Sequence, residues 1–494
     1  MKQSIGSDAL YLTISQTITL TITMITAMLL SRFLSLQEFG TYSQLMIVIN
    51  LFTVIFMLGL PNSINYFLAR AESINEKNNF LSVYFTLSTF LSFLTGLVLV
   101  INMPLIINYF SNPIIKNFFY TLAILPWAKI TISSIQNILI VSRKTKSLLV
   151  FKILHSVMLV VIILIVGILN LGFSTYMLLF VIIEGIFAIS VYAIVIKTSG
   201  KINLNIDRAT TNTILKFSVP IGLASAISTL NIQLDKLVIG RFFSTEEIAV
   251  YANAARELPV TIVASGLIAV LLPQLVRLLK KGEKEEAVSL WGVTINLAYI
   301  VICFVSLALV IFAPEVITIL YSDKYLPGVS VFRVYSLVLL LRFTYFGIVL
   351  NATGNTKIIF YSSLLSLGLN LILNYVFYLM FGFIGPALAT LASILLMQLF
   401  QLIITVIIMD VKFKSIFPWK NIAFITLVNL AMGAFFAFLK YLLPLHLIIG
   451  GILESVILGF TWFTIYSLIM SMRIKEYWLA LKRPYPDDAI HVHD

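Results

Sequence analysis

The sequence predicts an all-α polytopic membrane protein, and three observations carry that prediction. Of 494 residues, 60% are hydrophobic and only 11% charged, with a mean hydropathy of +1.03; a soluble fold of this size cannot hide so much apolar surface. The apolar residues fall in runs long enough to cross a hydrocarbon layer about 30 Å thick, which takes roughly 20 helical residues. Lys and Arg then gather in every second connection, as they do on the cytoplasmic side of a multi-pass protein.

Fourteen such runs fill the chain between charged or Pro, Asn and Gly-rich breaks. The first, 9–30, is too long and too rich in Thr for a cleaved leader, and MKQSIGSD before it carries little basic character, so it reads as a retained helix. Its alternating Thr17, Thr19, Thr21 and Thr23 suggest a strand, but a lone strand cannot satisfy its backbone in lipid. Thr in a helix can bond its own preceding carbonyls instead. The second run, 44–69, contains Pro61 and is followed by 80–101, 118–140, 147–169 and 174–196. A polar stretch, KTSGKINLNIDRATTNT at 197–213, separates these from 214–239, which carries Pro220. Both prolines are expected to kink their helices. The runs 250–275, 288–312, 330–350, 357–380 and 384–409 come next, and 421–440 with 446–471 complete the set.

The basic residues fix the orientation. Arg143, Lys144 and Lys146 share one connection, Arg277, Lys280, Lys281 and Lys284 another, and Lys412, Lys414 and Lys420 a third. The intervening connections hold single cations such as Arg32, Lys116, Arg241 and Lys324. Both termini are therefore expected in the cytoplasm. The net charge of +12 follows this topology and an anionic inner leaflet, not nucleic acid. The single cysteine, Cys303, sits in an apolar run, where it can form neither an intramolecular disulfide nor a thiolate metal cluster and is expected to pack.

The chain repeats itself. SRFLSLQEFGTY at 31–42 returns as GRFFSTEEIAVY at 240–251, pairing Arg32 with Arg241, Phe33 with Phe242, Ser35 with Ser244, Glu38 with Glu247 and Tyr42 with Tyr251, an offset of 209. Thr145 and Lys146 recur as Thr356 and Lys357 at 211, and Gly172 and Phe173 as Gly382 and Phe383 at 210. Six helices separate the copies, and an even number preserves orientation. The expectation is two pseudo-symmetric six-helix lobes, 1–196 and 214–409, joined by a cytoplasmic linker at 197–213 and followed by helices 13 and 14 with a cytoplasmic tail over 410–494. Parallel repeats of this kind enclose a central cleft exposed to either side in turn.

Charges at depth are costly, about 2.5 to 3.5 kcal/mol on insertion scales, so each one within a span is a candidate site. Asp235 precedes Arg241 by six residues and Arg256 lies about as far into the next run, so the two could pair across their hairpin. Lys236 is an alternative partner for Asp235. Lys129 and Arg342 lie midway through counterpart helices, although their separation of 213 exceeds the local offset of 211 and rotates one relative to the other. Guanidinium groups suit phosphate but suit carboxylates equally well. Arg32 and Arg241 recur at the outer mouth, where snorkelling to the interface competes with attraction of an anion. Glu184, in mid-helix, is a candidate proton carrier or a neutral acid held by neighbouring backbone, and His155 is expected to be structural. Glu454 and His446 lie outside the repeat and rank lower. Gln16 with its neighbouring hydroxyls, Asn50, Asn62, Asn65, Asn231 and Gln233 are candidate donors and acceptors for sugars.

The order and spacing of several stretches carry a resemblance: SRFLSLQEFGTY, then GLPNSINYFLAR, then KFSVPIGLASAISTLNIQLDKLVIGRFFSTEEIAVYANAARE, then NATGNTKIIFYSSLLSLGLNLILNYVFYLMFGFIGPALATLAS. Over essentially its full length the chain resembles the Wzx-type polysaccharide flippases, in the superfamily that also includes multidrug and toxin extruders and the lipid II flippases. The resemblance implies a non-enzymatic exporter that moves a polyprenyl-pyrophosphate-linked oligosaccharide from the inner to the outer leaflet of a bacterial cytoplasmic membrane. It also places an acid at the position of Asp235, expected here as coupling-ion ligand or gate. No cofactor or metal is expected, and no P-loop points to ATP. The partners implied are membrane lipids, a proton or sodium counter-ion and polysaccharide polymerase machinery. A drug-cation antiporter of the same fold would want a more acidic or aromatic cavity. A membrane glycan polymerase or ligase would want a sizeable outer loop with acid and base residues.

Overall fold

A computed structural model of the chain describes residues 5–199, 207–442 and 450–482. Every regular element among the described residues is a helix, and twelve of them are long and apolar enough to cross a membrane. Two of the twelve run through more than one helix: Thr245–Lys281 is interrupted before Pro259, and Thr356–Met409 turns at Gly382 with φ +58, a conformation open to glycine. His446 and the start of the last expected span lie outside the described residues.

The helices divide into two compact units, Met1–Asn253 and Ala254–Asp494. The first contains α1 (Ile5–Phe33), α2 (Leu36–Met57), α3 (Leu60–Ser63) running into a π turn at Ile64–Leu68, α4 (Ile74–Ile101) and the short α5 (Met103–Phe110). It continues with α6 (Phe119–Val141), α7 (Thr145–Ile168), α8 (Gly172–Ser199), α9 (Arg208–Phe242) and α10 (Thr245–Ala254). α1 packs on α7, α4 on α6, α6 on α8 and α2 on α9. Without water to drive helices together, small residues that let backbones approach are the main device. Gly96 of α4 lies against the Ala123 carbonyl, and a Cβ at Gly222 of α9 would stand 2.3 Å from the Leu58 carbonyl carbon. Gly59, with φ +68, completes that second contact. The helix expected over 44–69 therefore breaks at Leu58 and Gly59, before Pro61, which sits in the first turn of α3.

The repeated loop has a local physical cause. Ser35 starts α2 with a capping box: its hydroxyl accepts from the Glu38 N–H at 3.2 Å while Glu38 Oε2 accepts from the Ser35 N–H at 2.8 Å. Ser244 and Glu247 do the same for α10, at 3.1 and 2.9 Å. Each pair satisfies helix-end donors that would otherwise lie near lipid. α9 has a different cap, Asp207, which accepts from the Ala209 and Thr210 N–H groups at 3.2 and 3.1 Å. The Thr210 hydroxyl first, and these backbone bonds after it, hold the Asp207 carboxyl below its usual pKa.

The second unit contains α11 (Ile262–Lys281), α12 (Lys284–Ile311), α13 (Ala313–Leu320), α14 (Val329–Leu340), α15 (Ile348–Ala352), α16 (Thr356–Phe381), α17 (Gly385–Met409), α18 (Phe413–Ile416), α19 (Trp419–Leu442) and α20 (Gly451–Lys482). α12 is its centre, packing on α11, α14, α19 and α20. Trp291, Tyr299, Cys303 and Trp462 are buried there, and Tyr466 anchors α20 by donating to the Ile300 carbonyl at 2.9 Å. Cys303 is a free, buried thiol.

Element lengths follow the repeat. α4 and α12 each have 28 residues at an offset of 210, α5 and α13 each have eight at the same offset, and 3-10 turns Pro113–Phe118 and Asp323–Gly328 follow them. Reading 102–117 and 313–329 as plain loops missed these short helices. A proline in the first turn of each, Pro104 and Pro314, was the available signal.

Candidate functional site

Besides 44–69, two further expected helices are not continuous. The run 250–275 stops being helical after Ala254 and resumes through a 3-10 turn, Pro259–Thr261, so Arg256 lies in an irregular segment and not within a helix. The run 330–350 ends as a helix at Leu340 and restarts at Ile348. The first break has a sequence cause, because the residue before a proline, here Leu258, is pushed out of the α region. The second is held by tertiary contacts. Gln398 of α17 donates to the Leu341 carbonyl at 2.7 Å, and Trp291 donates to the Thr344 hydroxyl at 3.0 Å. Phe343 and Phe346 stack into a cluster with Tyr299 and Phe417. Irregular backbone at membrane depth survives only where protein groups or a wet cavity satisfy it.

The breaks face each other. Arg342 Nη2 donates to Glu257 Oε1 at 2.6 Å, with side chains 37% and 41% exposed. At 1.5 Å per residue, α10 and α14 place these segments about 15 and 18 Å from the helix starts, a distance of about half the thickness of a hydrocarbon layer. Arg256 and Glu257 also line a pocket with Leu309, Phe332, Tyr335 and Ser336. Among the described residues neither the Arg256 nor the Arg342 Nε has an acceptor, although both atoms are buried. Arg256, which shares this pocket with the Tyr335 and Ser336 hydroxyls, and Arg342, paired with the pocket's Glu257, are thus two guanidinium groups that each keep a buried Nε without an acceptor among the described residues. Such a set suits an anion with several oxygens, above all a phosphate. Interrupted helices that meet at depth are where membrane transporters hold polar cargo. Gln398→Leu is expected to leave the Leu341 carbonyl without this donor, at a cost of about 1–3 kcal/mol. A thermal melt and a transport assay both at wild-type level would show that Gln398 does not hold the break.

In the first unit the candidates are more dispersed. Lys129 Nζ donates to Asn50 Oδ1 at 3.0 Å, joining α6 to α2. Asn65, in the π turn, donates to Asn137 Oδ1 at 3.4 Å, and Asn137 donates in turn to the Pro61 carbonyl at 2.7 Å, while Asn62 is exposed on α3. π turns often mark functional positions. Gln16 is exposed on α1 and Asn231 half-buried on α9. Thr19, Thr23 and Thr26 bond the carbonyls of Ser15, Thr19 and Ile22, each at 2.8 Å, so part of the Thr pattern of α1 is local bonding.

Asp235 is buried on α9, where it accepts from the Tyr251 hydroxyl at 3.1 Å and has Lys236 Nζ at 3.6 Å. Tyr251 is a repeat residue, so this bond ties α9 to α10 through the repeated motif. Glu184 is buried and bonded at 3.2 Å to the side chain of His155. Arg241 donates to the Asn108 and Tyr109 carbonyls at 3.3 and 3.4 Å, a cation at the C-terminus of α5, and Arg32 is exposed at the last turn of α1. Glu257 is the partner that sequence reasoning missed.

Among solved structures the chain is similar to "Lipid II flippase MurJ, inward closed conformation", with TM-score 0.72 and 18% identity over 94% of this chain and 100% of that one. It is also similar to a multidrug resistance MATE family transporter of the MOP superfamily. The inward-facing form gives TM-score 0.65 at 15% identity, covering 81% of this chain and 98% of that one. The outward-facing form gives 0.56 at 16%, covering 83% and 97%. No curated protein matches the chain. Identities this low speak to fold and not to cargo. Residues 29–330, more than half of this multi-pass membrane protein, match the family described as polysaccharide biosynthesis protein, and the chain belongs to that family.

Proposed function

We propose that the protein is a flippase that carries a polyprenyl-pyrophosphate-linked oligosaccharide from the inner to the outer leaflet of a bacterial cytoplasmic membrane by alternating access. The observation that carries this reading is the Arg342 guanidinium, held on an interrupted helix at membrane depth with a spare, buried donor. A sugar chain and a charged pyrophosphate cannot cross hydrocarbon unaided, because each unsatisfied polar group costs several kcal/mol. Arg342, Arg256 and Lys129 receive the charge, and Gln16, Asn62, Asn65 and Asn231 contact the sugars. Arg32 and Arg241 stand at the outer mouth. Asp235 acts as gate or ion ligand, and Glu184 with His155 carries the coupling proton.

In this reading the chain crosses the membrane fourteen times with both termini inside. Support comes from the turn at Gly382 and from the interrupted α14 and α15, which add two crossings to the twelve apolar spans. The lobes of the repeat are 1–196 and 214–409, with 197–213 as linker and 410–494 as an addition. The likeness to MATE transporters favours drug export as a second reading, but unpaired guanidinium donors at depth are poorly suited to organic cations. Depletion of the protein in its own cell, followed by labelling of lipid-linked glycans from outside, tests the assignment. Glycan trapped on the inner leaflet supports it; unchanged sidedness in a cell with no redundant exporter argues against it.

A further inference from the structure

The Arg342 to Glu257 pair holds a detail that the anion-site reading does not use. The contact is one-sided. Glu257 takes only Nη2, at 2.6 Å, and the buried Arg342 Nε has no acceptor among the described residues. A guanidinium bound for structure alone is best served by both carboxylate oxygens in the fork. Here the Nε half of the fork has no acceptor among the described residues, and the buried Arg256 Nε is in the same condition. Both partners are more than a third exposed, so solvent and ligand reach the pair. Each also lies on an irregular segment, where a carboxylate can withdraw without breaking a helical ladder.

Resting on the reading of Arg342 as an anion site, we propose that Glu257 is a built-in stand-in for the substrate's phosphate. Its carboxylate occupies Arg342 in the empty site and is displaced when a phosphate takes the whole fork. Glu257 thereby keeps an unpaired guanidinium from standing in the membrane, and it returns to Arg342 as the anion departs. Its consequence is a limit on affinity. An exporter that bound pyrophosphate with two uncontested guanidinium groups would release it slowly, and a competing carboxylate of the same protein shortens that stay. This makes Glu257 a residue that sets specificity and release without itself contacting the sugar.

Calorimetric titration of the purified full-length protein in detergent tests this, with inorganic pyrophosphate and farnesyl pyrophosphate as probes. Glu257→Gln is expected to lower the Kd for both about tenfold, and Arg342→Ala to raise it about tenfold or more. The double variant is expected to behave as Arg342→Ala, because a competitor matters only while its target exists. Glu257→Asp, one methylene shorter, is expected to fall between wild type and Glu257→Gln, and it serves if the Gln variant does not fold. Unchanged or weaker binding by the Glu257 variants, with Arg342→Ala weakened, overturns the stand-in role and leaves the anion site intact. Absence of any effect from Arg342→Ala, or no binding of either probe by the wild type, overturns the anion site itself.

Discussion

Arg342→Ala is expected to slow translocation of a pyrophosphate-linked glycan about 100-fold while leaving the fold intact. Hydrogen bonds to charged groups contribute about 1.5–3 kcal/mol each, and about 1.4 kcal/mol corresponds to a factor of ten in rate. Losing two such bonds to a phosphate therefore reaches about 3 kcal/mol at the lower end. The pair with Glu257 is more than a third exposed, and exposed ion pairs contribute only about 0–1 kcal/mol to stability. Rate and stability should thus separate, with a thermal midpoint near wild type and a rate far below it. Arg342→Lys keeps the charge and loses the fork, so it should recover part of the rate only. Initial rates in proteoliposomes, normalised to inserted protein, decide this. A rate for Arg342→Ala equal to wild type would remove Arg342 from the path.

Gly222→Leu is expected to do the reverse, damaging the fold first. A Cβ at Gly222 already stands 2.3 Å from the Leu58 carbonyl carbon and 2.6 Å from the Gly59 nitrogen, both backbone atoms. No rotamer change relieves a clash with backbone, so α9 and the α2 to α3 junction must part. Overpacking of this kind costs about 1–3 kcal/mol or more. At roughly 2–4 °C per kcal/mol for a unit of this size, the midpoint should fall by about 6–12 °C at the upper end of that cost. Gly59→Ala should be nearly as harmful, because φ +68 is strained for alanine even without the clash. A wild-type melting profile for Gly222→Leu would mean that the glycine contact does not hold α9 in place.

Much of the architecture was legible because the bilayer imposes it. Length and apolarity of the runs placed the long helices, and the Ser35 with Glu38 and Ser244 with Glu247 pairs proved to be caps that any reader of helix starts can find. The breaks were harder. No proline or glycine stands within 341–346 to mark the break, and what stabilises that segment is Gln398, 57 positions away. The break at 255–258 was foreshadowed by Pro259, but the apolar run on both sides concealed it. Glu257 passed unnoticed for the same reason: its significance comes from a residue 85 positions distant. Lys129 and Asn50 each stand out in the sequence as polar groups within apolar runs, yet no spacing rule joins them. The pairing of Glu184 with His155 is likewise a contact between helices, and a helix face read alone cannot show which neighbour it meets.

As proposed above, this chain moves an anionic, lipid-linked glycan across a bilayer through groups gathered at its interrupted helices. The most direct test reconstitutes the pure protein in vesicles carrying a short polyprenyl-pyrophosphate oligosaccharide on one leaflet only, and follows its arrival on the other with a membrane-impermeant glycosidase. Glycan is expected to become accessible far faster than in protein-free vesicles, and Arg342→Ala is expected to abolish most of the gain. Equal rates with and without the protein, under every ion gradient applied, would contradict it.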